Sequence, residues 1–277
     1  MKNWSRREWM KFAYATAGVG TGGFGYGGLI EKTALKTEMV TCAIPEKYQH
    51  LHGLKIGLLA DLHFDEYGDS ALVHHAVKVI NQEKVDLVML AGDFVSNKAA
   101  SLEPLGEILK DLRAGIGVFA VLGNHDHWMG REHAVKFLKR AGIRLLKNES
   151  EDLGDFLIAG QESAWGGRPD FSKIPSRSAV DKPIVLGWHE PDTFDWYEDD
   201  RVILQLSGHT HGGQICVPGY GPVLLPFLGK KYAAGLYQKD SGNLYVSRGL
   251  GVITIPARFC CPPEVTLLTL ESRVRKA

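Results

Sequence analysis

Five short apolar runs in this chain each stop at a tight cluster of acid, amide or imidazole side chains, and that repetition narrows the available folds more than any other feature. The runs read "LKIGLLADLH", "VDLVMLAGD", "GVFAVLGNHD", "PIVLGWHEP" and "VILQLSGHTHGGQI". Short apolar runs bounded by turn signals predict buried strands. Between and after the first three lie "ALVHHAVKVINQ", "SLEPLGEILKDLRA" and "REHAVKFLKRAG", the last closed by Gly142, all with helical spacing of apolar residues. Strands alternating with helices build right-handed crossovers and so a parallel sheet. Ligands of such sheets collect beyond the carboxyl ends of the strands, which is where these polar clusters fall.

After Ile143 the strands shorten and turn residues multiply: "IRLLKN", "FLIAGQE", "NLYVSRG" and "EVTLLTL". Residues 165–183 read as a long loop. The expected fold is α/β, one domain in which a second sheet packs on the first with helices outside. With 44% hydrophobic and 23% charged residues over 277 positions, the chain has ordinary globular composition. Lys plus Arg and Asp plus Glu stand at 32 each. That balance leaves no bulk charge to hold nucleic acid, so any phosphate recognition must be local. Cys42, Cys216, Cys260 and Cys261 match no zinc-ribbon spacing and are too few for a disulfide framework.

In an extended segment residues i and i+2 face the same way, so Asp61 with His63, and His209 with His211, can each aim two ligands at one place. Asp93, Asn124, His189, His125 and Asp126 complete the strand-end clusters. Carboxylate, imidazole and amide oxygen together suit Mn, Fe, Zn, Ni or Mg, and the absence of thiolate argues against a structural zinc site. His50, His52, His74, His75 and His133 fall outside the clusters and read as structural; His127 is placed for a supporting role.

The first residues have their own character. Ser5-Arg6-Arg7-Glu8-Trp9-Met10-Lys11 resembles a twin-arginine export signal, and no charge follows from Phe12 to Ile30. That stretch is milder than the roughly 20 strongly apolar residues of a membrane span. Residues 1–35 are therefore expected to be an export signal or membrane anchor. The expected partner is the twin-arginine export machinery, and the expected location is extracytoplasmic, in the periplasm or at the outer face of the inner membrane.

Taken in order, "DLH", "GD", "GNHD", "WHEP" and "GHTHGGQ" resemble the calcineurin-like metallophosphoesterases over residues 54 to 271. The tail, with "GHTHGGQICVP", "KKYAAGLY", "VSRGLG" and "ARFCCPPEVTLLTL", is similar to the bacterial YaeI/YkuE-type phosphodiesterases. One departure stands out: Pro262-Pro263-Glu264 replaces the family's usual Arg-Pro-Glu. The resemblance implies a four-layer αββα sandwich with a catalytic domain over residues 50–271. It implies one divalent metal on Asp61, His63, Asp93 and His211 and a second on Asp93, Asn124, His189 and His209, with Asp93 bridging. Two such ions, about 3.5 to 4 Å apart, would generate a bridging hydroxide for in-line attack on phosphorus. His125 would assist the leaving group, with Asp126 orienting its ring. Ser96 occupies the place of the metal-binding tyrosine of purple acid phosphatases, which argues against a redox-type iron site, and His63 favours the divalent-metal phosphodiesterase type.

Arg248 and Arg258, with Lys230 and Lys231, are the expected substrate-binding cations. The expected substrate is a phosphodiester or pyrophosphate, small or lipid-linked, at a possible membrane surface. UDP-2,3-diacylglucosamine of lipid A synthesis is the named alternative, with Trp165, Phe171, Phe227 and Leu228 as an acyl wall. A non-catalytic metal-binding scaffold is the rival from another class, and the filled ligand positions oppose it.

Overall fold

A computed structural model describes residues 25–272 except 66 and 241, so Arg6, Arg7 and most of the expected export segment lie outside it. In chain order, β1 (Lys36–Ile44) and β2 (Lys55–Leu59) lead into α1 (Ser70–Glu83), β3 (Leu87–Leu90), α2 (Leu102–Leu109), β4 (Gly117–Ala120), α3 (Asn124–Arg140) and β5 (Arg144–Leu145). A strand-rich half follows with β6 (Glu149–Asp152), β7 (Leu157–Gly160), β8 (Ile184–Gly187) and β9 (Val202–Ser207). It continues through β10 (Cys216–Val217), β11 (Gly221–Pro222), β12 (Gly235–Lys239), β13 (Gly242–Val246) and β14 (Glu264–Ser272). One six-stranded sheet has the order β1-β14-β2-β3-β4-β5, the other β12-β13-β9-β8-β7-β6, and β10 with β11 forms a separate ribbon.

Alternation along the strands explains why two sheets stack. In β3, Leu87 and Met89 face one way and meet Phe156, Val185 and Leu206 of the other sheet. Val88 and Leu90 face the opposite way, toward α1, α2 and α3. Each fully buried side chain of this size contributes roughly 1.5–3 kcal/mol. The outer face of the second sheet, with Leu157, Ile184 and Trp188, is covered by Ile174 and Phe171 from the expected 165–183 loop. The architecture is an α/β sandwich, as expected.

The helices follow their sequence patterns with one instructive shift. α1 starts where the Asp69 carboxylate accepts from the N–H groups of Ala71 and Leu72, and it buries Leu72, Val73, Ala76, Val77 and Ile80 along one face. α3 begins at Asn124, ahead of the predicted "REHAVKFLKRAG", because Asp126 reaches back to accept from the Gly123 N–H. Gly130, at φ 113°, then kinks it.

Upstream, the folded unit extends beyond the expected start at residue 50. β1 runs parallel to β14, from Lys36 opposite Glu264 to Ile44 opposite Ser272. Glu31 is buried and accepts from the Cys261 N–H at 2.7 Å. Among the described residues no helix is long and apolar enough to cross a membrane.

Candidate metal centre

β2, β3 and β4 run parallel, as do β8 and β9, and the chain beyond each carboxyl end carries one cluster to the seam between the sheets. There Asp61, His63 and His211 form one group of ligand atoms all within 4.8 Å of one another, and Asp93, His189 and His209 form a second. Asp93 Oδ2 lies between the groups, 3.6 Å from His63 Nε2 and 3.1 Å from His189 Nε2. The sequence placed these six residues together, and the structure brings all six to one buried place.

The backbone is bent to achieve this. Asp61, His63, Asp93, His209 and His211 have φ of 49°, 40°, 56°, 74° and 52°, a region L-residues avoid. Each such residue costs on the order of 1–3 kcal/mol, and the clustering of five marks a functional constraint. Two glycines make room: a Cβ on Gly123 would lie 2.1 Å from Asp93 Oδ1, and one on Gly208 2.5 Å from Asp61 Oδ2.

Hydrogen bonds fix which atom each ligand offers. His189 Nδ1 donates to the Ala91 carbonyl at 2.6 Å, so Nε2 is the nitrogen that faces Asp93 and the site. Burial opposes charge on this ring, but the carboxylates of Asp93 and Asp61 outweigh it and raise the His189 pKa well above the usual imidazole range; a cation bound there would displace that proton. His209 Nε2 likewise donates to the Phe227 carbonyl at 2.7 Å, leaving Nδ1 free. His63 Nδ1 meets Ser96 Oγ at 2.9 Å. Asp61 is held by the His209 N–H, and Asp93 Oδ1 accepts from the His125 N–H.

The remaining polar atoms do not find partners. His63 Nε2, Asn124 Oδ1, His189 Nε2 and His211 Nδ1 are buried with no hydrogen-bond partner, a costly arrangement for groups that normally pair. Acceptors without donors, beside two carboxylates, are what divalent cations require, so the residues fit a pair of metal ions. Burial lifts the Asp61 carboxyl above its usual range despite His189 nearby. For Asp93, burial opposes the charge but is outweighed by His189, and its pKa falls. Burial lowers His63 to about 4 and also depresses His211, so both are neutral at pH 7, as ligation requires.

A cavity of about 500 Å³ opens over His63, Asp93, Asn124, His125, His209 and His211, walled on its other side by residues such as Trp165, Ile215, Leu224, Pro226 and Ile255. The sequence model of calcineurin-like phosphoesterases matches residues 54–213, which contain all of these ligands.

The chain belongs to the calcineurin-like phosphoesterase family.

Its relatives span its length. It is 34% identical to the uncharacterized metallophosphoesterase YkuE of Bacillus subtilis, over 98% of this chain and 99% of that one. It is 32% identical to the phosphodiesterase YaeI of Escherichia coli, over 96% and 99%. It is 27% identical to the UDP-2,3-diacylglucosamine pyrophosphatase LpxG of Chlamydia trachomatis, over 86% and 90%.

Around the ligands of this phosphoesterase the structure departs from several sequence expectations. Asp126 does not orient His125. Its carboxylate is fully buried and accepts from the N–H groups of Asp93, Phe94 and Gly123, while the His125 ring donates from Nδ1 to the Ser96 carbonyl at 3.1 Å. Arg258 does not reach the cavity either. It is 0% exposed and its guanidinium donates to the carbonyls of Arg248, Gly249, Gly251 and Cys261, which makes it a strut beneath Asp61. Arg248 pairs with Glu38 and Glu264, and Lys231 with Asp195. The arginines expected to bind substrate are thus committed to the protein itself. Phe171 stacks on Tyr197 behind the second sheet, away from the site.

Three residues have roles at the site that the sequence reading did not assign. Ser96 touches both His63 and His125. Glu190, fully buried, accepts from the N–H groups of Ala164 and Trp165 and so sets the Trp165 loop; the signal was the acid inside "WHEP". Trp128 lies edge-on to His125 and to Trp165, and a lone tryptophan on a helix carries no such signal in sequence.

Proposed function

We propose that the chain is a phosphodiesterase that uses two divalent metal ions, with Asp61, His63 and His211 holding one, His189, His209 and Asn124 the other, and Asp93 shared. The observation that carries this reading is the pair of buried ligand groups with unpartnered lone pairs under a single cavity. Bound ions would supply positive charge for phosphoryl oxygens and lower the pKa of a water toward neutrality. With its Nδ1–H committed to Ser96, His125 has Nε2 left to exchange a proton with the departing ester oxygen. The family's activity supports a phosphoester substrate, and the relatives YaeI and LpxG act on a phosphodiester and a pyrophosphate, respectively, by their names. The apolar cavity wall favours a substrate whose substituent is itself apolar, so UDP-2,3-diacylglucosamine is the second substrate to test.

The test strips the full chain of metal and reloads it with Mn, Zn or Mg in turn, then assays a monoester, a simple diester and UDP-diacylglucosamine. Hydrolysis of the diester above the monoester is expected; no ester hydrolysed with any metal would favour the scaffold reading. His125→Ala should retain both ions and lose roughly 10²- to 10⁴-fold in turnover. We also propose that the Arg6-Arg7 segment sends the protein across the inner membrane. Fractionation of wild-type and Arg6→Lys/Arg7→Lys chains checks this, and equal export of both would refute it.

A further inference from the structure

The mouth of the cavity is ringed by apolar side chains that face water. Leu224, 78% exposed, lines the opening with Val223, Ile255 and Trp165; Phe227 packs edge-on to Trp165, and Tyr220, 82% exposed, stands in the turn of the β10–β11 ribbon on the same 215–229 loop. Exposed apolar groups scattered singly need no explanation, but a contiguous ring around one opening marks a contact surface. From Gln214 to Gly229 the sequence contains no charged residue, and Lys230 follows, exposed, at the edge.

The ring is preformed. Gln214 Nε2 donates to the carbonyls of Ile253 and Ile255, and its Oε1 accepts from the Ile253 N–H, so the two loops that carry the ring are tied together. On the other side Trp165 lies edge-on to Phe227 and to Trp128. Aromatic side chains with polar tips, aliphatic side chains and a flanking lysine are the composition of a surface that sits at the boundary of headgroups and acyl chains.

The position of the N-terminal segment points the same way. The Arg258 N–H donates to the Gly27 carbonyl, so the first described residues lie beside residues 255–258, at the edge of the ring. Tyr26, Leu29 and Ile30 are exposed there, and the uncharged stretch that began at Phe12 ends at Ile30. A protein seated on this ring would close the catalytic cavity, whereas a bilayer seated on it can deliver a substrate.

We propose that the ring formed by the 215–229 and 253–255 loops docks on a lipid bilayer, with the metal centre opening toward the headgroup layer. The docking stands on exposure and geometry. That the substrate is then an amphiphile's phosphodiester or pyrophosphate rests on the phosphodiesterase reading.

The experiment sediments the full chain with sucrose-loaded vesicles of phosphatidylethanolamine and phosphatidylglycerol, with no substrate present, so its outcome is independent of any hydrolysis assay. Val217→Glu/Tyr220→Glu places two charges at the tip of the β10–β11 ribbon. It should weaken vesicle partition by roughly tenfold or more. Met39→Glu/Ile116→Glu adds the same charge at exposed apolar positions elsewhere and should stay within about twofold of wild type. The single change Tyr220→Ser, at a side chain that packs on little, should weaken partition in the same direction. The proposal is overturned if wild type does not sediment, if the ribbon variants match it, or if the control pair loses as much as the ribbon pair.

Discussion

Asp126→Asn is the substitution that tests most directly how the site is built. The side chain keeps its shape, so no cavity opens. The carboxylate now serves three backbone donors: its Oδ2 accepts from Asp93 N–H at 2.8 Å and Gly123 N–H at 2.9 Å, and its Oδ1 from Phe94 N–H at 3.0 Å. An asparagine has one acceptor oxygen. If that oxygen takes the Oδ2 place, the amide NH2 faces the Phe94 N–H, and two buried donors are left unmatched. At about 1–3 kcal/mol each, the loss is about 4 kcal/mol. At about 2–4 °C per kcal/mol for a chain of this size, Tm should fall by about 8–16 °C.

Because the loss lies in the backbone, it should appear in metal-free protein as well. Calorimetry of wild type and variant in chelator measures it, and metal analysis after dialysis should show ions lost, since the Asp93 backbone is held by the same carboxylate. An unchanged Tm with a reduced kcat would mean that Asp126 acts on His125 after all, and would refute this account.

Other outcomes follow from the same geometry. Asp93→Ala removes the carboxylate that lies between the two ligand groups and should leave the purified protein without stoichiometric metal by elemental analysis. Arg258→Lys replaces a fork by a single ammonium that cannot reach four carbonyls, so at least one carbonyl is orphaned and Tm should drop; a raised KM with unchanged Tm would restore a substrate-binding role. For Asp195, burial is the largest single influence and raises the carboxyl, but the hydrogen bonds from Lys231, Lys239 and Tyr232 together outweigh it and lower the pKa to about 2, below the 3.8 of a free aspartate. A depressed pKa stabilises above the unfolded value and is lost as pH falls toward the folded one. The Tm gap between wild type and Asp195→Asn should therefore be full above pH 4 and close toward pH 2, with a worth on the order of 1 kcal/mol after solvent screening.

The ligands were legible in sequence because each sits at the end of an apolar run, where the period of a strand and the convergence of parallel strand ends leave little freedom. The strands of the core were legible for the same reason. β1 and β12 were not: their exposed or half-buried faces, as at Lys36, Thr37 and Lys239, lack a clean apolar pattern. The fate of Arg258 was invisible because a charge beside a site and a charge beneath it read alike; only the 0% exposure and the carbonyls around its guanidinium separate them. The left-handed backbone at Asp61, His63, Asp93, His209 and His211 also leaves no trace in residue type, since glycine would be the usual sign.

The buried Glu31 sets a limit on how far the N-terminus can be trimmed. Its carboxylate is the acceptor for the Cys261 N–H, on the loop that also carries Arg258. A protease that cuts upstream of Glu31 leaves that loop anchored. A cut after residue 35 takes that acceptor away, strands a buried donor at about 1–3 kcal/mol and frees the start of the edge strand beside β14. Any N-terminal truncation that is to keep the fold intact therefore has one boundary, and it lies ahead of Glu31.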